Sequence, residues 1–142
     1  MFSLTHLHPM IVHFPIALVT IGFLANLLSV LMKKDTFLPK LSFSLLIVGT
    51  LSAIAAVLTG VFFTYELLGE AGTVRDTHAL FAFVTLALLI VTCILKSLPY
   101  INGIITNRTK TIAFLFYLLA MISVSITGYL GGSLVYNYMM PL

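Results

Sequence analysis

The chain has 142 residues, of which 61% are apolar and only 8% charged, and its mean hydropathy is +1.17. An average soluble domain is about 45–50% apolar and about 25% charged, so this composition excludes a soluble enzyme, a nucleic-acid binder and a secreted scaffold. Cys93 is the single cysteine, which excludes an internal disulfide and a C-x-x-C-H haem attachment. The first basic residue, Lys33, follows the first apolar run, so we expect no cleavable signal peptide.

Four stretches without charge cover most of the chain: 1–32, 41–65, 77–95 and 111–142. Each is long enough to cross a bilayer, which takes about 20 mostly apolar residues. They predict an all-α fold, an integral-membrane four-helix bundle that forms a single domain over residues 1–142. The predicted helices run over residues 9–32, 41–65, 78–98 and 111–136.

The ends of the first and third predicted helices carry local signals. The first helix begins at Pro9 with a bend at Pro15, or begins at Pro15 after an irregular entry segment, because proline removes an interior helical hydrogen bond. Asp76 or Thr77 is expected to cap the third helix, and Pro99 followed by Asn102-Gly103 is expected to end it.

The basic residues predict how the helices are oriented. Six of the seven lie in two short loops, 33–40 and 96–111: Lys33, Lys34, Lys40, Lys96, Arg108 and Lys110. Loops rich in lysine and arginine stay in the cytoplasm. We therefore expect a multi-pass protein of the bacterial cytoplasmic (inner) membrane, with both termini and the 65–77 loop outside.

All four histidines fall at the predicted outer face. His6, His8 and His13 lie at the start of the first helix, and His78 lies at the start of the third. His13 is the deeper of the first group, and an ionisable side chain at that depth normally faces the bundle interior and marks function. His6 and His8 are expected in the wet interfacial segment.

A weak internal repeat relates the two halves of the chain. Thr59-Gly60 recurs as Thr127-Gly128, 68 residues later, and the histidine-bearing helix starts are separated by about the same offset. Two-helix units in the same orientation would give a parallel repeat about the membrane normal. The bundle can therefore be a tandem duplication of a two-helix unit.

Small residues form a stripe on the second and fourth predicted helices. The positions are Gly49, Ala53, Ala56 and Gly60, and then Ala120, Ser123, Thr127 and Gly131. Such stripes let membrane helices approach one another closely. We expect these positions to contact neighbouring helices.

Several segments together resemble a known bacterial membrane family. They are His8-Pro-Met-Ile-Val-His13-Phe-Pro-Ile-Ala-Leu18, Thr59-Gly60, His78 and Gly131-Gly132-Ser-Leu-Val-Tyr136. The chain resembles, over nearly its whole length, the family catalogued as domain of unknown function 2231. The resemblance implies a small four-helix membrane protein, sometimes fused to redox modules. Relatives often continue the ending with a histidine-glycine pair where this chain has Tyr138 and Met139, so no role of that histidine is carried over.

The leading hypothesis is a membrane protein that binds a b-type haem and transfers electrons to a redox partner protein. Haem iron takes axial imidazoles, and His13 and His78 occupy equivalent helices at similar depth. They are the predicted ligands, with His8 as the alternative to His13. Arg75 lies where the haem propionates would emerge. Phe14, Phe62, Phe63 and Phe81 are the candidate apolar wall.

Two further hypotheses remain open. Copper or zinc could bind through His6, His8, His13 and His78, since imidazole suits both metals. Alternatively, the bundle is a structural or accessory protein that assists a larger complex, binds no cofactor and uses its histidines only in packing. Under each hypothesis the lipid bilayer is a partner, and a homo-oligomer is left open. No catalytic triad, P-loop or dinucleotide fingerprint is present, so no stand-alone catalysis is predicted.

The predicted orientation can be tested with topology reporters. A reporter that works only in the cytoplasm should be inactive after Leu142 and active when inserted near Asp35. The reverse pattern would contradict both the orientation and the outward location of the histidines.

Overall fold

The computed structural model describes residues 7–32, 35–64, 66–103 and 106–138. These residues form five α-helices: α1 (Leu7–Ile11), α2 (His13–Leu31), α3 (Phe37–Phe63), α4 (Gly69–Asn102) and α5 (Asn107–Tyr136). The first two make one span, so the protein has four spans that are long and apolar enough to cross a membrane. The expected all-α membrane bundle is confirmed.

The first span is helical from Leu7 and is interrupted at Val12. The interruption follows from Pro15, which has no N–H to donate to the carbonyl of Ile11 and whose ring clashes with it. Neither of the two expected starts, Pro9 or Pro15, is therefore the beginning of this span.

The helix α4 is longer than the sequence predicted, because it begins at Gly69 instead of residue 78. Asp76 and Thr77, the expected caps, lie inside it. It continues through Pro99 and ends at Gly103, whose φ of 67° is left-handed and whose N–H donates to the Pro99 carbonyl at 3.1 Å. At 34 residues it is about 51 Å long, so its ends extend beyond a hydrocarbon core of about 30 Å. Charged residues near the ends of α4 can therefore lie outside the hydrocarbon core.

The helices pair as two hairpins, with α2 packed most extensively on α3 and α4 on α5. Between the hairpins lies a core that includes the fully buried Val19, Leu46, Leu89 and Tyr117. Gly49 permits the close approach of α2 and α3, since a Cβ there would lie 3.2 Å from Val19. This part of the small-residue stripe acts in helix packing, as expected.

Lys96 does not lie in a loop, contrary to the sequence-based prediction. It belongs to α4, and its ammonium is enclosed by the other spans. It donates to Asn26 Oδ1 at 2.6 Å and to Ser42 Oγ at 3.0 Å, and it lies 5.2 Å from the ring centre of Tyr117. We call this end of the bundle the lysine end. All four spans meet at this one buried cation.

The contacts of Lys96 predict a coupled effect on stability. Asn26→Leu should lower the free energy of unfolding by about 1.5–3 kcal/mol, because it removes a hydrogen bond to a buried charged group. Adding Lys96→Met should restore most of the loss, since an apolar replacement of buried charge is often neutral or stabilising. Thermal unfolding in detergent measures both, and an Asn26→Leu variant as stable as the parent would contradict the arrangement.

Candidate functional site

A cavity of about 420 Å³ lies at the opposite end of the bundle, which we call the histidine end. Cofactor and small-molecule sites typically measure roughly 300–1,000 Å³. The lining is mostly apolar, and all four spans contribute to it. Small residues make room for it: Ala56 and Gly60 of α3, Ala79 and Ala82 of α4, and Gly128 and Gly131 of α5.

Two histidines face each other across this cavity. The imidazoles of His8 and His78 have their ring centres 6.2 Å apart, with an angle of 85° between the ring planes. His8 comes from α1 and His78 from α4. Each histidine therefore comes from the first helical span of a different hairpin, and the two meet on the line between the hairpins.

Each imidazole is held by a backbone carbonyl of the second helix in its own hairpin. His8 Nδ1 lies 3.0 Å from the Ala56 carbonyl oxygen, and His78 Nδ1 lies 2.9 Å from that of Thr127. A carbonyl only accepts, so each Nδ1 must carry the proton. In a neutral imidazole the other nitrogen is then an acceptor, which leaves both Nε2 atoms with the lone pair that binds a metal.

A glycine one helical turn further along makes each carbonyl accessible. Gly60 follows Ala56 by four residues, and Gly131 follows Thr127 by four. A Cβ at Gly60 would lie 2.9 Å from His8 Cε1, and one at Gly131 would lie 3.1 Å from Cε1 of His78. The imidazoles therefore occupy the space that side chains at these two positions would take. Gly60 and Gly131 therefore contact neighbouring helices, as expected, and the group that each contacts is a histidine ring.

The separation of the rings matches that of two imidazoles that share one metal atom. Each metal–nitrogen bond is about 2.0–2.1 Å, and a five-membered ring with bonds near 1.33 Å has a radius of about 1.1 Å. Two such bonds and two such radii span about 6.2–6.4 Å, against the 6.2 Å observed. The two ring planes are at 85° to each other, and the hydrogen bond of each Nδ1 holds its ring in this orientation.

Arg75 lies at the mouth of the cavity. It belongs to the cavity lining and precedes His78 by three residues, about 4.5 Å along the axis of α4. Its side chain is 26% exposed, and Nη1 lies 3.5 Å from Oδ1 of Asp76, which is 79% exposed. The guanidinium thus combines access to the cavity with access to the surface, and it is placed to pair with an anionic group that emerges from the cavity.

The structure does not bring His13 to His78. Instead of facing the bundle interior, as expected, His13 is exposed and reaches only the rim of the cavity. The two histidines are five residues apart, which turns their side chains about 140° from each other on a helix, so one of them faces the cavity and the other does not. His8, which was expected in the interfacial segment, is half-buried in the site. His6 lies outside the described residues.

The expected apolar wall is also only partly correct. Phe63 lines the cavity, and so does Phe83, which the sequence analysis did not single out. Phe14 and Phe62 are 62% and 71% exposed, on the outside of the bundle. Small side chains and aliphatic residues form most of the wall.

The contacts of the two histidines recur in both halves of the chain, but with an offset different from the 68 residues that separate the two Thr-Gly pairs. His8 and its carbonyl partner are 48 residues apart, and His78 and its partner are 49 residues apart. Ala56 thus corresponds to Thr127, and Gly60 to Gly131. The Thr59-Gly60 and Thr127-Gly128 pairs that suggested the repeat are therefore not structurally equivalent, and they differ by about one helical turn.

Within the described part of the chain, no group of three or more histidine, cysteine, aspartate or glutamate side chains is placed to hold a metal ion. The convergence of histidines that a bare copper or zinc site would need is thus not seen among residues 7–138. A pair of imidazoles on a cavity is seen instead.

The fold and the cavity define a four-span α-helical membrane bundle with two facing histidines at one end. A family model described as "Predicted membrane protein (DUF2231)" matches residues 5–141, and the chain belongs to this family. The resemblance noted in the sequence is thereby confirmed. No curated protein and no solved structure matches the chain.

The contacts of Gly60 and Gly131 predict that one added methyl group lowers stability at these two positions and not at Gly132. Gly60→Ala and Gly131→Ala should each displace an imidazole and lower stability by about 1–3 kcal/mol through overpacking. Gly132→Ala is the matched control, because its Cβ would meet nothing within 4 Å. Thermal unfolding and the histidine ring signals in NMR spectra measure the effects. Equal unfolding temperatures and unchanged ring signals in all three variants would show that Gly60 and Gly131 do not make room for the imidazoles.

Proposed function

We propose that the protein binds a b-type haem in the membrane and transfers electrons, with His8 and His78 as the axial ligands. The observation that supports this most strongly is the pair of imidazoles at 6.2 Å, each with Nδ1 bound to a carbonyl. Metal-binding histidines commonly donate their other N–H to a carbonyl or carboxylate, which fixes the tautomer and orients the ring.

The assignment differs from the sequence-based choice of ligands. His78 is retained, and His8 replaces His13, because His8 is the histidine that faces His78 across the cavity. Both remain proposals, and His13 at the rim is the natural control residue.

The cavity suits an organic cofactor better than a single ion. A volume of about 420 Å³ is far larger than one metal ion needs, and its mostly apolar wall suits a planar apolar ring system. When bound, haem supplies an iron that takes up and releases one electron. The chain's own residues supply two neutral ligands, fix their orientation and exclude water from the space between them.

Arg75 is proposed to bind the haem propionates. Guanidinium groups pair well with carboxylates, and this guanidinium lies at the cavity mouth within one helical turn of His78. Asp76, its present partner at 3.5 Å, is largely exposed and would be replaced by a propionate at little cost, because surface ion pairs contribute only about 0–1 kcal/mol.

We place the histidine end at the outer face of the bacterial cytoplasmic membrane. With Lys96 assigned to the bundle interior, five other basic residues still favour the opposite end as cytoplasmic, because they lie in the sequence near the α2–α3 and α4–α5 connections: Lys33, Lys34, Lys40, Arg108 and Lys110. A redox partner protein would then exchange electrons at the outer face.

Purified protein should contain haem with two imidazole ligands. Protein from haem-replete cells, isolated in mild detergent, should show a sharp Soret band and resolved visible bands on reduction. A colourless preparation that binds stoichiometric copper or zinc would support the metal-binding alternative. A colourless and metal-free one would support a bundle without a cofactor.

Three alanine variants test which histidines are ligands. His8→Ala and His78→Ala should each lose haem or leave the iron five-coordinate, because one imidazole holds the iron less well than two. His13→Ala should retain the spectrum of the parent. Haem loss from His13→Ala with none from His8→Ala would contradict the assignment.

A further inference from the structure

The environments of the two imidazoles differ in one hydroxyl group. His8 Nδ1 lies 3.3 Å from Thr59 Oγ1 in addition to its contact with the Ala56 carbonyl. In the described residues, the partner of His78 Nδ1 is the Thr127 carbonyl alone. The otherwise equivalent halves of the bundle therefore present unequal hydrogen-bond acceptors to their histidines.

The hydroxyl of Thr59 is oriented to accept a hydrogen bond from His8. Thr59 Oγ1 lies 2.9 Å from the Ala55 carbonyl oxygen and 3.0 Å from that of Ala56. The single hydroxyl proton is donated to one of these carbonyls, which leaves the oxygen lone pairs available. The Nδ1–H of His8 is then shared between a carbonyl and a hydroxyl oxygen.

Thr127, the threonine of the other Thr-Gly pair, does not play this part. Thr127 Oγ1 donates to the Ser123 carbonyl at 2.9 Å and lies 3.4 Å from Thr85 Oγ1. Its contact with His78 is made by the backbone carbonyl, which a change of side chain leaves in place. The shifted register of the two halves explains this difference, because Thr59 lies three residues after Ala56 and has no threonine counterpart at residue 130.

We propose that Thr59 is a positioning residue that makes His8 the more strongly donating of the two axial ligands. The inference rests on the proposed haem function. Additional hydrogen bonding to Nδ1–H gives the imidazole more imidazolate character and raises its basicity as a ligand. A more basic ligand stabilises ferric over ferrous iron. Thr59 therefore lowers the midpoint potential of the haem.

The test compares Thr59→Val with two matched variants. Thr59→Val removes the hydroxyl while keeping the branched shape, Thr59→Ser keeps the hydroxyl, and Thr127→Val removes the hydroxyl of the other half. Potentiometric titration of the haem bands should give a higher midpoint potential for Thr59→Val only. Haem content, read from the Soret band, is measured for each variant, so that the midpoint potentials are compared on haem-loaded protein.

The outcomes separate this inference from the function on which it rests. A parent protein without haem overturns both. Haem that is bound with an unshifted potential in Thr59→Val, or an equal shift in Thr127→Val, overturns the role of Thr59 alone. If Thr59→Val lowers haem content, Thr59→Ala gives the same readout without placing a methyl group where the hydroxyl lay, and an unshifted potential there likewise overturns the inference.

Discussion

Two hydrogen bonds from imidazole nitrogens to helix carbonyls determine the histidine end of this bundle. Each accepting carbonyl already belongs to an α-helix, where it accepts the N–H four residues further along. It can accept a second bond because a carbonyl oxygen has two lone pairs, and because the residue four positions on is glycine. Gly60 and Gly131 leave the carbonyls of Ala56 and Thr127 uncovered. Without these glycines, the rings would have neither space nor an acceptor.

This constraint accounts for the chemistry available in the cavity. Because Nδ1 carries the proton, the Nε2 atoms keep their lone pairs, and a mostly apolar site acquires two unprotonated imidazole nitrogens without burying a formal charge. Burying an unpaired charge in the bilayer would be costly. At the other end lies a partly buried cation, Lys96, which contacts Asn26, Ser42 and the ring of Tyr117. The two ends of the bundle therefore differ in charge: the histidine end presents two neutral imidazoles, and the lysine end holds a cation with polar and aromatic contacts.

The four spans follow from hydropathy alone, because the bilayer sets both their length and their composition. Hydropathy alone did not identify which two histidines face each other. The choice of His13 rested on its depth in the predicted span, whereas the structure brings His8 to the cavity and leaves His13 exposed. The repeat carried the information that identifies His8, since the offset from His8 to His78 is nearly the same as that from Gly60 to Gly131. Lys96 was assigned to a loop although it continues the buried stripe of Thr85, Leu89 and Thr92 at spacings of four, three and four.

Electron paramagnetic resonance of the oxidised protein tests the central claim most directly, because the signal of low-spin ferric haem depends on both axial ligands and on the angle between their planes. Two imidazoles held near the observed 85° should give a strongly anisotropic low-spin signal. The same experiment on His8→Ala should replace it with a high-spin signal or abolish it. A parent protein that shows only high-spin iron, or no iron signal, would contradict the account.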